Sequence, residues 1–306
     1  MNLLRGQLLT TGPLALIAAC YFIAAPSATS NRVEELLPQV LSGRTQMLTE
    51  DCQTVADQLQ QQLSREWNVV IHEPFVIAGD CGTEQLDRCH RETIAPTAQA
   101  LAVQYFDLHP AWPITVVLCS SDESHRECNQ QLHERARSEY SGIYSRSQHR
   151  VIVNIATGEG TLAHELTHAL AHADFPDMPE WLDEGLASLY EECEFSADGL
   201  HLVGQENWRG VVVRQALKTG RLRTLVEMAG EPFAKQDASV EYAQARYFCL
   251  YLQQRHLLEP FYRKCRTHSK SKRDSLDSLV ELTGATDPRA FEREFRTWLA
   301  KVDSVR

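Results

Sequence analysis

Apolar positions recur in two rhythms along this chain, one helical and one strand-like. Leu48, Cys52, Val55, Leu59 and Leu63 sit at helical spacing and predict a helix within 31–67. Phe75-Val76-Ile77-Ala78 and Ile114-Thr115-Val116-Val117-Leu118 read as strands, separated by a helix around 91–106. A polar helix is expected over 121–137. Gly142-Ile143-Tyr144 and Arg150-Val151-Ile152-Val153-Asn154 then read as a hairpin turning over 145–149. Gly158-Glu159-Gly160-Thr161 breaks that pattern, and a helix-compatible stretch runs over 162–173. Pro176 and Pro179 stop it and open another helix, with Pro179 suited to a first turn. From Trp208 onward the pattern is helical, near 208–218, 222–229, 240–256, 259–267, 274–283 and 288–301. The alternation predicts an α+β fold with a small mixed sheet, followed by a C-terminal helical subdomain.

Composition narrows the setting. Residues 1–28 read as a signal peptide or membrane anchor rather than part of the fold. Arg5 precedes an apolar run over 8–25, and Ala25-Pro26-Ser27-Ala28 offers small residues for cleavage. Ile17-Ala18-Ala19-Cys20 also resembles a bacterial lipobox, and the run approaches the roughly 18–20 residues that span a bilayer. Each version attaches or exports the chain and places the remainder outside the cytoplasm. Two further divisions are expected: 29–200 as an N-terminal α/β portion and 201–306 as the helical subdomain. Nine cysteines minus Cys20 leave eight, an even number that suits disulfides in an exported chain. Short polar connections favour Cys81/Cys89 and Cys119/Cys128, and neighbouring helices favour Cys249/Cys265. Cys52/Cys193 then remain. A net charge of −11 excludes a general nucleic-acid-binding surface. The one basic stretch, 263–273, is expected to be a solvated loop.

The chemistry concentrates in His164-Glu165-Leu166-Thr167-His168. On a helix, residues four apart lie on one face, so the two histidines aim their imidazoles at one point. Glu165 lies about a quarter turn away, beside any water the metal would hold. Trp181-Leu182-Asp183-Glu184-Gly185 follows, and places Glu184 about one turn into the next helix as a third ligand. Asp174 is a rival. In the metzincin pattern a glycine three residues after the second histidine permits a turn to a third ligand, but Ala171 stands there. His172 continues the histidine stripe, and three ligands from one straight helix cannot surround a metal. It is expected to pack or to support the other two.

His164-Glu165-x-x-His168 with Trp181-Leu182-Asp183-Glu184-Gly185-Leu186-Ala187 resembles the gluzincins, the clan of thermolysin and aminopeptidase N, and more closely the small bacterial peptidase MA-like domains. The likeness extends over roughly 68–300, with motifs only around 161–190 and near 242. It implies a zincin-like fold with one Zn2+ per chain, held by His164, His168 and Glu184. Glu165 would then be general base and proton shuttle. Glu241-Tyr242-Ala243-Gln244-Ala245 resembles the segment carrying a transition-state tyrosine, which makes Tyr242 a candidate oxyanion donor. The exopeptidases' Gly-x-Met-Glu-Asn strand is absent, and Ala245 stands where a glycine usually follows. The resemblance also implies that an extended peptide adds to the strand preceding the metal helix, here 150–155.

The expected activity is extracytoplasmic, zinc-dependent hydrolysis of peptide or protein substrates, within chains rather than at ends. A zinc amidase on cell-wall or small amides would use the same residues, and so would a silent zinc-binding scaffold. Helix 31–67 is a candidate cover for the cleft. Replacing Glu184 with Ala is expected to drop bound metal below stoichiometry, and Asp174→Ala to leave it intact. Metal analysis of the two purified variants checks this, and the reverse result makes Asp174 the third ligand.

Overall fold

Runs of Val and Ile that are apolar on both sides build the centre of a sheet, because such strands must be covered on two faces. The computed structural model describes residues 30–302 apart from 108, 133–140, 231, 234–236, 269–273 and 285–287, with side chains from residue 46 on except 274 and 288. The expected targeting segment, Cys20 included, lies outside the described residues. No described helix is long and apolar enough to cross a membrane.

From residue 48 on, the described residues form one compact unit. The first helix, α1 (Ser30–Gln62), leads into β1 (Asn68–His72) and β2 (Phe75–Gly79). A helical stretch of α2 (Thr83–Cys89), a π-helical turn (His90–Ile94) and α3 (Ala95–Gln104) crosses to β3 (Ile114–Cys119). Then come α4 (Asp122–Gln131), the hairpin β4 (Gly142–Ser145) and β5 (Arg150–Asn154), and two helices, α5 (Glu159–Asp174) and α6 (Glu180–Leu189). The small pair β6 (Cys193–Phe195) and β7 (Leu202–Gly204) precedes six helices: α7 (Arg209–Lys218), α8 (Leu225–Gly230), α9 (Ala238–Gln254), α10 (Leu258–Thr267), α11 (Asp274–Thr283) and α12 (Pro288–Leu299). This is a mixed α+β fold. The sequence pattern missed β1 and the β6/β7 pair, which are five and three residues long.

The main sheet has the order β1-β2-β3-β5-β4. β2, β3 and β5 run parallel, and β1 and β4 are antiparallel at its two edges. The edge strand beside α5 is therefore β4. β5, expected at the cleft edge, is internal, because its partners β3 and β4 occupy both of its sides. Side chains alternate between faces. Phe75, Ile77, Val116, Leu118, Val151 and Val153 join Leu162 and Leu166 of α5 in the main core. Val76, Ala78, Val117 and Ile152 pack instead with Cys52, Ala56 and Leu59 of α1 and with Leu63 just beyond it. Residues 52–63 thus cover the sheet face opposite α5, not the cleft. The main core runs on through α6, α9, α10 and α12, so the portions expected either side of residue 200 share it.

Several expectations about loops and staples change. Residues 263–267 are helical rather than a loop. Arg263 donates to the carbonyls of Val103 and Gln104, Lys264 pairs with Glu281, and Arg266 with Asp174 and Asp107. No disulfide joins the eight cysteines. Cys119 and Cys128 do lie side by side, and the neighbouring thiol together with burial pushes Cys119 up. Cys52 belongs to the core patch under α1, whereas Cys193 packs against the other. Cys249 lies against Gly185, while the Cys265 thiol points to the Ser275 carbonyl oxygen 3.9 Å away.

Helix α6 is gripped tightly. At Gly185 a Cβ would come 2.8 Å from Cys249 Sγ and 2.9 Å from the Ala245 carbonyl oxygen of α9. Arg246, fully buried, donates to the carbonyls of Ser188 and Leu189 at the end of α6 and to Gln205. It satisfies acceptors that a helix end leaves open. Gly185→Ala is expected to cost about 1–3 kcal/mol through overpacking. Urea unfolding of the variant measures this, and an unchanged midpoint would show that α6 and α9 have room to part.

Candidate metal centre

Two helices supply the centre. Alanine and leucine dominate α5, which suits a helix buried along most of its length. His164 and His168, one turn apart, turn their Nε2 atoms to within 3.1 Å of each other. From α6, Glu184 brings Oε2 to 3.6 Å from His164 Nε2 and 3.5 Å from His168 Nε2. An ion held at about 2.0–2.1 Å by three donors of a tetrahedron separates those donors by about 3.3 Å. The triangle matches that edge. Glu184 Oε2 is moreover buried with no hydrogen-bond partner, an orphaned acceptor that an ion would satisfy. The residues present fit a zinc ion.

Around the triangle stands a supporting set that the sequence pattern did not reveal. Asp183 holds His168 Nδ1 at 2.6 Å through one oxygen and His172 Nε2 at 2.8 Å through the other. This fixes the His168 ring so that Nε2 faces the donor triangle, the usual task of a carboxylate behind a histidine ligand. Glu191 Oε1 lies 3.1 Å from His164 Nδ1, at an angle too poor for a hydrogen bond. Arg209 clamps that carboxylate with two N–H groups, at 2.8 and 3.0 Å. Asp183 stands beside Glu184 in the sequence, yet nothing local assigned it a role. Glu191 and Arg209 carried no local signal.

Charge follows this geometry. Burial alone would lower His164, but Glu184 and Glu191 outweigh it and lift the imidazole to about 9. Burial would raise Asp183 and Glu191, yet the histidines, with Arg209 in the case of Glu191, hold each at about 2. Glu184 is likewise held well below the usual carboxylate range by His164 and His168 against its burial. Glu165 behaves differently. Burial pushes it up, and His164 and His168 only partly oppose that. It lies against the edge strand: a Cβ at Gly142 would come 2.9 Å from its Oε1 and 3.0 Å from its Cγ.

The remaining expected residues are elsewhere. Asp174 is buried, with its oxygens accepting from Arg266 at 2.6 and 2.7 Å, from Tyr262 Oη and from the Asp107 N–H. Its carboxylate is committed to that network and not to the histidines. Tyr242 is half-buried on α9. Its ring meets Phe233 edge-on at 5.3 Å and lies 5.5 Å from the Arg209 guanidinium carbon, so it stands beside the arginine that holds Glu191.

No protein-family model matches the chain, and no curated protein matches it. Among solved structures, yeast LTA4 hydrolase bound to bestatin is similar at 13% identity and a TM-score of 0.44, over 78% of this chain and 40% of that one. Native yeast LTA4 hydrolase gives 13% and 0.42, and a further native structure from Saccharomyces cerevisiae 14% and 0.40, each over 78% of this chain and 38% of the other. The chain thus spans well under half the length of these distant neighbours. What the centre can do follows from its own side chains.

Asp183→Asn retains the shape but loses the charge behind His168. It is expected to weaken zinc binding roughly 10- to 100-fold. Competition with a chromophoric chelator measures this, and an unchanged affinity would reduce Asp183 to packing.

Proposed function

We propose that the chain is an extracytoplasmic zinc-dependent peptidase of gluzincin-like design, cleaving within peptide or protein chains. The observation that carries this reading is the donor triangle of His164, His168 and Glu184 with the buried Glu165 carboxyl on the same helix. When bound, zinc supplies a Lewis acid that polarises a carbonyl and makes water acidic near neutral pH. His164, His168 and Glu184 would hold it, one ion per chain.

The protein's own groups then handle the proton. Glu165 removes it from the attacking water, whose oxygen adds to the scissile carbonyl carbon. The same carboxyl returns it to the amine as the C–N bond breaks. Burial favours this exchange, because a carboxylate pushed up is a stronger base than one in water. Tyr242 is assigned as donor to the developing oxyanion, supported by its place beside the Arg209–Glu191–His164 chain.

Substrate binding is assigned to β4. It pairs only with β5 among the described strands, so its outer side is open to an extended peptide. That favours peptides over small amides. The strand Gly142-Ile143-Tyr144-Ser145 carries no carboxylate to hold a free substrate amino terminus, which supports cleavage inside chains. The extracytoplasmic assignment is supported by the sequence of residues 1–28.

Glu165→Gln is expected to keep stoichiometric zinc and lose about 10²–10⁴-fold in kcat on a peptide-library digest. A wild type without stoichiometric metal, or a variant as active as the wild type, overturns the proposal.

A further inference from the structure

Beside the donor triangle, on the side of the second histidine, lies a cavity of about 530 Å³. That volume is in the range of small-ligand sites. Trp112, Tyr144, His149, His172 and Pro176 line it together with the exposed Arg146 and Ser147. The Tyr144 ring lies 6.5 Å from the His168 ring and 5.5 Å from that of His172. An extended chain advances about 3.3 Å per residue, so a peptide with a carbonyl at the triangle reaches this cavity within one or two residues.

The lining has specific needs. The indole Nε1 of Trp112 is buried without an acceptor, and an indole N–H can only donate. Nδ1 of His149 and Nδ1 of His172 are also buried without partners. No aspartate or glutamate lines the cavity. Arg146 is exposed, and its guanidinium donates to the Pro176 carbonyl at 2.6 Å. Burial lowers His149 and Arg146 adds to that, whereas burial and Asp183 push Tyr144 up to about 12 with Arg146 only partly opposing.

The backbone is bent to make this wall. His149 closes the β4–β5 turn at φ 48°, ψ 42°, a left-handed conformation uncommon for a residue with a side chain. Its carbonyl is tied to the Thr115 N–H at 2.9 Å, and its ring stacks on Trp112 with centroids 4.5 Å apart. The left-handed residue after the short 3-10 turn closes the hairpin and sets the His149 ring against Trp112. Aromatic walls alone would also suit a cation, but an exposed arginine in the lining and buried donors without acceptors select the opposite charge.

We propose that this cavity is a specificity pocket for a carboxylate-bearing residue of the substrate. The carboxylate accepts from Trp112 Nε1 and pairs with Arg146, and the planar walls hold the rest of the residue. The inference rests on the peptidase reading of the neighbouring centre. The carboxylate belongs either to an acidic side chain or to a peptide's C-terminus, and the chemistry of the pocket is the same for both.

Calorimetric titration of the full chain with three peptides tests this: Ac-Ala-Glu-Ala-NH2, Ac-Ala-Gln-Ala-NH2 and the free acid Ac-Ala-Gln-Ala-OH. At least one carboxylate peptide is expected to bind about tenfold more tightly than the neutral one and to shift the Trp112 indole resonance. The peptide that does so identifies the source of the carboxylate. Arg146→Gln is expected to erase the advantage, and Trp112→Phe to reduce it while keeping the wall. Equal affinity for all three peptides, no binding by any, or an advantage that survives Arg146→Gln overturns the proposal. The readout is binding, so it is separate from turnover. A chain that hydrolyses peptides without this selectivity loses only the pocket, and a chain that selects carboxylates without hydrolysis loses only the peptidase reading.

Discussion

A single carboxylate, Asp183, sets the register between α5 and α6. It reaches His168 with one oxygen and His172 with the other, at 2.6 and 2.8 Å, so two turns of α5 are tied to one point of α6. The next residue along α6 is Glu184, and its approach to the two Nε2 atoms depends on that tie. The far end of α6 is held just as firmly, by Arg246 from α9 on its last carbonyls. Gly185 allows α9 to come close enough for this grip. Sequence adjacency of Asp183 and Glu184 thereby becomes a three-point donor set with His164 and His168.

The same centre separates its carboxylates by environment. Burial by itself raises every one of them. Asp183, Glu184 and Glu191 nevertheless lie below their usual range, because each faces an imidazole. Glu165 alone moves upward. Groups whose surroundings push their proton affinities apart divide the roles of a site between them. Here the depressed carboxylates suit ligation and support, and the raised one suits proton exchange. Such a cluster is stable only as a set. Removing one partner strands buried charge, which typically costs several kcal/mol.

Much of this was legible in the sequence where signals are local. Helical spacing placed His164 and His168 on one face, and the following Trp-Leu-Asp-Glu-Gly segment named Glu184. The strands β2, β3 and β5 stood out as Val/Ile runs, and the C-terminal helices as periodic patterns. What stayed hidden was long-range or weakly patterned. β1 is a short edge strand whose apolar run is only Val69-Val70-Ile71, between Asn68 and His72. Glu191 and Arg209 meet across 18 positions with no motif to announce them. Arg246 lies inside an apolar helix that gives no hint of a buried cation capping another helix. Which strand would be the edge depended on strand order, which periodicity does not encode.

That last point bears on function most directly. On a strand, residues two apart share a face. Gly142 and Tyr144 of β4 therefore look the same way, as do their partners Val153 and Val151 on β5, both of which belong to the core beneath α5. Ile143, between them, packs with the opposite patch. Gly142 meets the Glu165 carboxyl, and Tyr144 lies over His168 and His172. One edge strand thus passes the raised carboxyl with a residue small enough to admit it. Two positions later it walls the neighbouring cavity with a ring. β5 is enclosed by β3 and β4, whereas β4 has β5 alone beside it among the described strands. The antiparallel hairpin is what carries the edge of the sheet across α5.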